Sequence, residues 1–169
     1  MEEVSMEMKM SVEEAKNLAK KLMQKGYHWG PAILQVMWEA YGLENEDFLW
    51  TGIPFLGGIG GFQNAPCGVV SSTAICIGLR HRSPLEDKER AKQARHAIRN
   101  FSAKLVSEFN QEFGDITCLG LIGMDFSKPG VYKEFRETGV WKEKCEKYVE
   151  FMIDKLYALE EDKGLFVLA

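Results

Sequence analysis

The chain has 169 residues, of which 46% are hydrophobic and 27% charged, and its formal net charge is −4. That length supports one domain with a self-sufficient core, and that composition excludes wholesale disorder. The acidic balance excludes a general nucleic-acid binder, and four cysteines are too few for a scaffold built on disulfides.

Residues 1–10 are acidic and lack the basic start and apolar stretch of a secretory signal, so a cytoplasmic protein with reduced thiols is expected. Ser11-Val12-Glu13-Glu14 is a capping box. It predicts a helix with Val12, Ala15, Leu18, Ala19, Leu22 and Met23 on one stripe, stopped by Gly26. Pro31 suits a first helical position, and Ala32 to Tyr41 predicts a strongly apolar helix ending at Gly42. Residues 45–62 predict a short helical turn and then a glycine-rich loop. A second mostly apolar helix is expected from Cys67 to Leu79.

Ser83-Pro84-Leu85-Glu86 predicts another capping box, opening a long helix to Phe113. Leu85, Ile98, Phe101, Leu105, Phe109 and Phe113 mark its inner side, and Gly114 its stop. A short helix is expected between Asp115 and Ile122, and a loop at Lys128-Pro129-Gly130. The last long helix is predicted from Trp141 to Leu159, with Cys145, Tyr148, Val149, Met152 and Leu156 on an inward stripe. No segment alternates as a strand does. The expected class is all-α, a compact single domain over residues 1–169. Its bundle of about five helices surrounds an uncharged helix and a glycine-rich loop.

From Phe48 to Leu79, 32 residues carry no charge, while all 46 charged side chains occupy the other 137 positions. Glycines, Pro54, Gln63, Asn64 and Pro66 interrupt the run. The apolar remnant from Gly68 to Leu79 falls short of the ~20 residues that span a bilayer, so no membrane insertion is expected. The run is expected to form the buried centre of the fold. Gly57–Gly61 lacks the spacing and the following Gly-Lys of a phosphate loop and is expected to supply positive φ and close approach. Residues 80–99 hold seven basic and three acidic side chains, which read as a solvated helix face rather than a docking site for an anion.

The four cysteines, Cys67, Cys76, Cys118 and Cys145, include no C-x-x-C pair. Cys67 follows a loop rich in glycine and proline and opens a helix, where the terminal N–H groups favour a thiolate. Cys118 lies near another helix start, and Cys145 points inward. Cys76 lies nine residues after Cys67 on the same helix, half a turn out of phase, and is assigned to packing. On these grounds Cys67 is expected to alkylate fastest and Cys76 slowest, provided that burial does not outweigh the helix terminus.

Gly57-Gly58-Ile59-Gly60-Gly61, then Cys67-Gly68-Val69-Val70-Ser71-Ser72 and Gly78-Leu79, resembles the CGAxxG core of the redox-active C_GCAxxG_C_C family. Phe113-Gly114-Asp115-Ile116-Thr117-Cys118 is similar to that family's third cysteine region, and Lys144-Cys145-Glu146-Lys147-Tyr148-Val149 to its fourth. Val69 and Ser72 replace the motif's alanine and last glycine. Tyr27-His28-Trp29-Gly30-Pro31-Ala32 stands where the family carries its first cysteine.

The resemblance implies a small redox-active thiol protein, with Cys67, Cys118 and Cys145 as the catalytic thiols. It equally admits Cys67, Cys118 and Cys145 as ligands of zinc, iron or an iron–sulfur cluster. His28 and Gly68 are then cofactor-binding candidates, His28 as a fourth ligand, although a histidine in an inter-helix turn is the commoner case. The alternative is a non-catalytic helical interaction domain whose cysteine site has degenerated. Expected partners are a second copy in a homodimer and a redox partner protein.

Overall fold

The structure is a computed structural model, and it describes residues 8–161. Among the described residues, five helices of twelve residues or more make the bundle: α1 (Val12–Gln24), α2 (Trp29–Ala40), α4 (Gly68–Arg80), α5 (Lys88–Phe113) and α9 (Cys145–Glu161). Four shorter ones connect them: α3 (Asp47–Trp50), α6 (Cys118–Ile122), α7 (Val131–Thr138) and α8 (Val140–Glu143). A 3-10 turn spans Ile53–Phe55. Among the described residues there is no strand, only isolated bridges at Ile59–Phe62 and Pro66–Thr117.

Helix α1 starts as its capping box dictates. The Glu14 N–H donates to Ser11 Oγ, and the Ser11 N–H donates back to the Glu14 carboxylate at 2.7 Å. Gly26, at φ +92°, lets the chain leave the helix. Ala15, Ala19, Leu22 and Met23 face inward, while Lys16 and Lys20 reach Asp154 and Glu150 on α9.

Helix α2 is apolar on most of its circumference and is accordingly surrounded, packing chiefly on α4 and also on α1 and α9. Gly30 and Gly68 meet at the α2–α4 crossing. A Cβ on Gly30 would lie 2.8 Å from the Gly68 carbonyl oxygen, and one on Gly68 would collide with the Phe55 carbonyl.

Several boundaries differ from the sequence expectation. Helix α5 begins at Lys88, not at Ser83. Asp87 is its cap, with a side chain that accepts from the Arg90 N–H at 3.1 Å. Its 26 residues span about 39 Å, and Leu85 is exposed rather than inward. Helix α7 was not anticipated. The final helix is interrupted at Lys144, leaving α8 and α9 in sequence. The charge-free run divides: α4 is buried, but Trp50, Ile53, Ile59 and Phe62 are exposed. The expectation that the whole run forms the centre holds only for α4, from Gly68 onward.

Candidate functional site

Four helix starts converge. His28 caps α2, Cys67 caps α4, and Cys118 and Cys145 are the first residues of α6 and α9. Each start has a local cause. Gly57, Gly58, Gly60 and Gly61 all take positive φ, so the chain coils tightly before entering α4. Ahead of α6, the Asp115 carboxylate accepts from the N–H groups of Ile116 and Thr117, and Thr117 Oγ1 then caps the helix through the Gly120 N–H. The two approaches are joined: the Cys67 N–H donates to Ile116 O at 2.7 Å, and the Cys118 N–H to Ala65 O at 3.2 Å.

Cys145 is placed by Lys144. The Lys144 ammonium donates to the carbonyls of Leu121 and Ile122 at 2.9 and 3.1 Å, and the Tyr148 hydroxyl donates to Leu121 O at 3.2 Å. These bonds satisfy the C-terminal end of α6 and seat the first turn of α9 on it. Cys145 is therefore at a helix start, not in mid-helix as its inward stripe implied.

The three side chains Cys67, Cys118 and Cys145 line one small pocket of about 30 Å³, shared with His28, Trp29 and Gly68. That volume admits little more than one water molecule. Trp29 forms its aromatic wall, edge-on to Phe135 at 5.5 Å. Cys76 does not line it, lying about 13 Å further along α4 by helical rise. All four cysteines are thiols, and Cys76, Cys118 and Cys145 are buried.

The electrostatics reverse the expectation for Cys67. Part of its surface reaches the pocket, yet protein atoms enclose it densely, and that burial pushes its thiol up to about 12. The Val69 and Val70 N–H groups near the sulfur oppose this but make no short cap bond, and the neighbouring Cys118 adds to it. Removal from water outweighs the helix terminus. Burial also raises Cys118, against the Gln63 amide. It raises Cys145 well above the usual range, reinforced by Cys67 and Cys118 and opposed by Lys144. The reduced site is thus three protonated thiols at neutral pH.

His28 is half-buried, and desolvation together with the charge of Arg136 lowers its pKa, so it is neutral at pH 7. It lines the thiol pocket, as a ligand role requires. Gly68 has a packing reason for its identity in the contact with Phe55. Among the described residues, however, no group of three or more His, Cys, Asp or Glu side chains is arranged so that it could hold a metal ion. The side chains as they stand do not form a preassembled metal cage.

Two site residues were not singled out from the sequence. Lys144 is one. Gln63 is the other: its buried amide donates to Met124 O at 2.9 Å, accepts from the Phe126 N–H at 2.6 Å and lies 3.8 Å from Cys118 Sγ. A lone glutamine inside a charge-free run was the available signal.

The model of the family described as "Putative redox-active protein (C_GCAxxG_C_C)" matches residues 27–159. Comparison with curated proteins and with solved structures finds no match. No helix among the described residues is long and apolar enough to cross a membrane. The matched span takes in the His28 turn, all three pocket cysteines and the helices that carry them, and the chain belongs to this redox-active C_GCAxxG_C_C family.

Proposed function

We propose that the chain is a small thiol-redox protein in which Cys67 interchanges between a thiol and a disulfide with Cys118 or Cys145. The observation that carries this reading is the lining of one pocket by three cysteines from three separate helix starts, with Cys76 elsewhere. Closing the disulfide removes two electrons and two protons from two thiols and forms one S–S bond. The electrons pass to a disulfide on a partner protein, which is reduced to two thiols. Burial favours both end states, since neither the thiol pair nor the disulfide is charged, and it penalises only the thiolate between them. Exchange is therefore slow unless a base takes the proton as the partner docks. Neutral His28, in the same pocket, is the candidate base. The reading fits a cytoplasmic protein whose resting state is reduced.

Zinc, iron or an iron–sulfur cluster would draw on Cys67, Cys118 and Cys145, with His28 as fourth ligand, after the thiols moved closer together.

The test is to poise the protein in thiol–disulfide buffers and map its disulfides by mass spectrometry without reduction. A two-electron transition joining Cys67 to Cys118 or Cys145, with Cys76 untouched, is expected. Three thiols that stay reduced under oxidising buffer overturn the redox reading and leave a helical interaction domain with a degenerate site. The visible spectrum and metal content of anaerobically purified protein test the metal reading separately.

A further inference from the structure

The exposed half of the charge-free run meets Tyr27 at the surface. Tyr27, Trp50 and Ile53 line an open groove of about 490 Å³. Pro54 follows Ile53, and its carbonyl accepts from the Gly60 N–H at 2.7 Å, which places the glycine coil beside the groove. That coil projects Ile59 and Phe62, whose backbones are bridged. Five large side chains here are well exposed: Trp50 72%, Phe62 64%, Ile59 50%, Tyr27 47% and Ile53 40%. Apolar area of this kind on one face marks an interaction site.

The face is also rigid. Its glycines are held at positive φ, and the Gly61 N–H bonds to Leu56 O, the Phe62 N–H to Ile59 O and the Ala65 N–H to Phe62 O. A partner that docks here orders little of the chain, which lowers the entropic penalty of association.

Charge decides between occupants. Residues 48–66 carry none, and of the residues lining the groove only Lys25 is charged. The chain as a whole is net negative, at −4, so most of its charged surface would oppose a second copy. A charge-free face gains nothing from a charged partner and desolvates that partner's ions without pairing them. It meets a copy of itself without opposing like charges. A two-fold dimer further requires that one face hold its own complement. This face has both a recess, the groove at Tyr27, Trp50 and Ile53, and a projection, the turn of Ile59 and Phe62.

We infer that two copies of this chain pair through this face, the Ile59–Phe62 turn of each seated in the Tyr27–Trp50–Ile53 groove of the other. The inference does not depend on the redox reading.

Sedimentation equilibrium over a wide concentration range tests it on the full chain. Wild type is expected to dimerise. Phe62→Glu and Trp50→Glu each place a charge in the apolar contact and should raise the dimer dissociation constant at least about tenfold. Lys92→Glu, on the exposed face of α5, should leave it unchanged. Circular dichroism verifies the fold of each variant, and Ile59→Lys reads the same contact if Phe62→Glu misfolds. A wild type that stays monomeric overturns the inference, whatever other protein the face binds. So does a dimer that Phe62→Glu and Trp50→Glu leave intact, or one that Lys92→Glu weakens as much as they do.

Discussion

The two halves of the charge-free run share their lack of charge and have opposite fates. Residues 67–79 become α4, with Val69, Val70, Cys76 and Ile77 buried. Residues 50–62 become a coil and turn with their largest side chains in solvent. Charge does not separate them. The second half has helical spacing that sets its apolar side chains against α2, α5 and α9. The first half has glycines whose positive φ bends the chain before any face can be buried. Lack of charge permits burial, but a regular helix that neighbours can surround is what achieves it.

That contrast can be broken by substitution. The largest effect is expected at Gly68→Ala, where a Cβ meets the Phe55 carbonyl and neither backbone can yield. The loss should be about 3 kcal/mol, read by chemical denaturation. A mild phenotype would mean that the Phe55 turn sits more loosely on α4 than it looks. Next is Cys76→Ser, which buries a hydroxyl among apolar neighbours and should lose about 2 kcal/mol, whereas Cys67→Ser beside the pocket should lose less.

Gly60→Ala in the coil should lose only about 1 kcal/mol, because the added Cβ meets nothing and the strain at φ +57° is its one penalty. Phe62→Ser, measured on the monomer, should change stability by no more than about 0.5 kcal/mol. A larger loss there would show that the exposed half carries packing energy after all.

Alkali sharpens the same comparison at Cys67, the residue where the halves meet. Its folded pKa, raised from the usual 9.0 to about 12, lies above that of the unfolded chain. Between those values the unfolded state loses its proton and the folded state keeps it. The stability present below pH 9.0 should therefore fall as pH rises towards 12. Cys67→Ala should flatten that slope in urea titrations on either side of pH 9.0. An unchanged slope would mean that water reaches the Cys67 sulfur freely.

Local signals in the sequence predicted local structure well. The Ser11–Glu14 box, the Gly26 stop and the five long helices were all legible, because each rests on contacts within a few residues. The start of α5 was misread because Ser83-Pro84-Leu85-Glu86 and Asp87 both offer caps, and it is Asp87 that accepts from the Arg90 N–H while Ser83 Oγ caps nothing. The break at Lys144 was invisible, since lysine is a good helix former and the inward stripe keeps its phase across it. Its cause lies on α6, in carbonyls more than twenty positions earlier in the chain. Gln63 was missed for a similar reason: its partners are in the segment 124–126. The positions of the three cysteines were suggested by the family resemblance. Their raised pKa values arise from enclosure by residues distant in the chain, which no spacing reveals.

The separation of the pocket cysteines along the chain gives their chemistry a mechanical side. Cys67 and Cys118 are 51 positions apart, and Cys67 and Cys145 are 78. A bond between either pair would close a loop that takes in both α4 and α5 and remove about 4 kcal/mol of chain entropy from the unfolded state. Oxidation at this pocket would then act as a staple, and the melting temperature of the protein would report the redox poise of its surroundings.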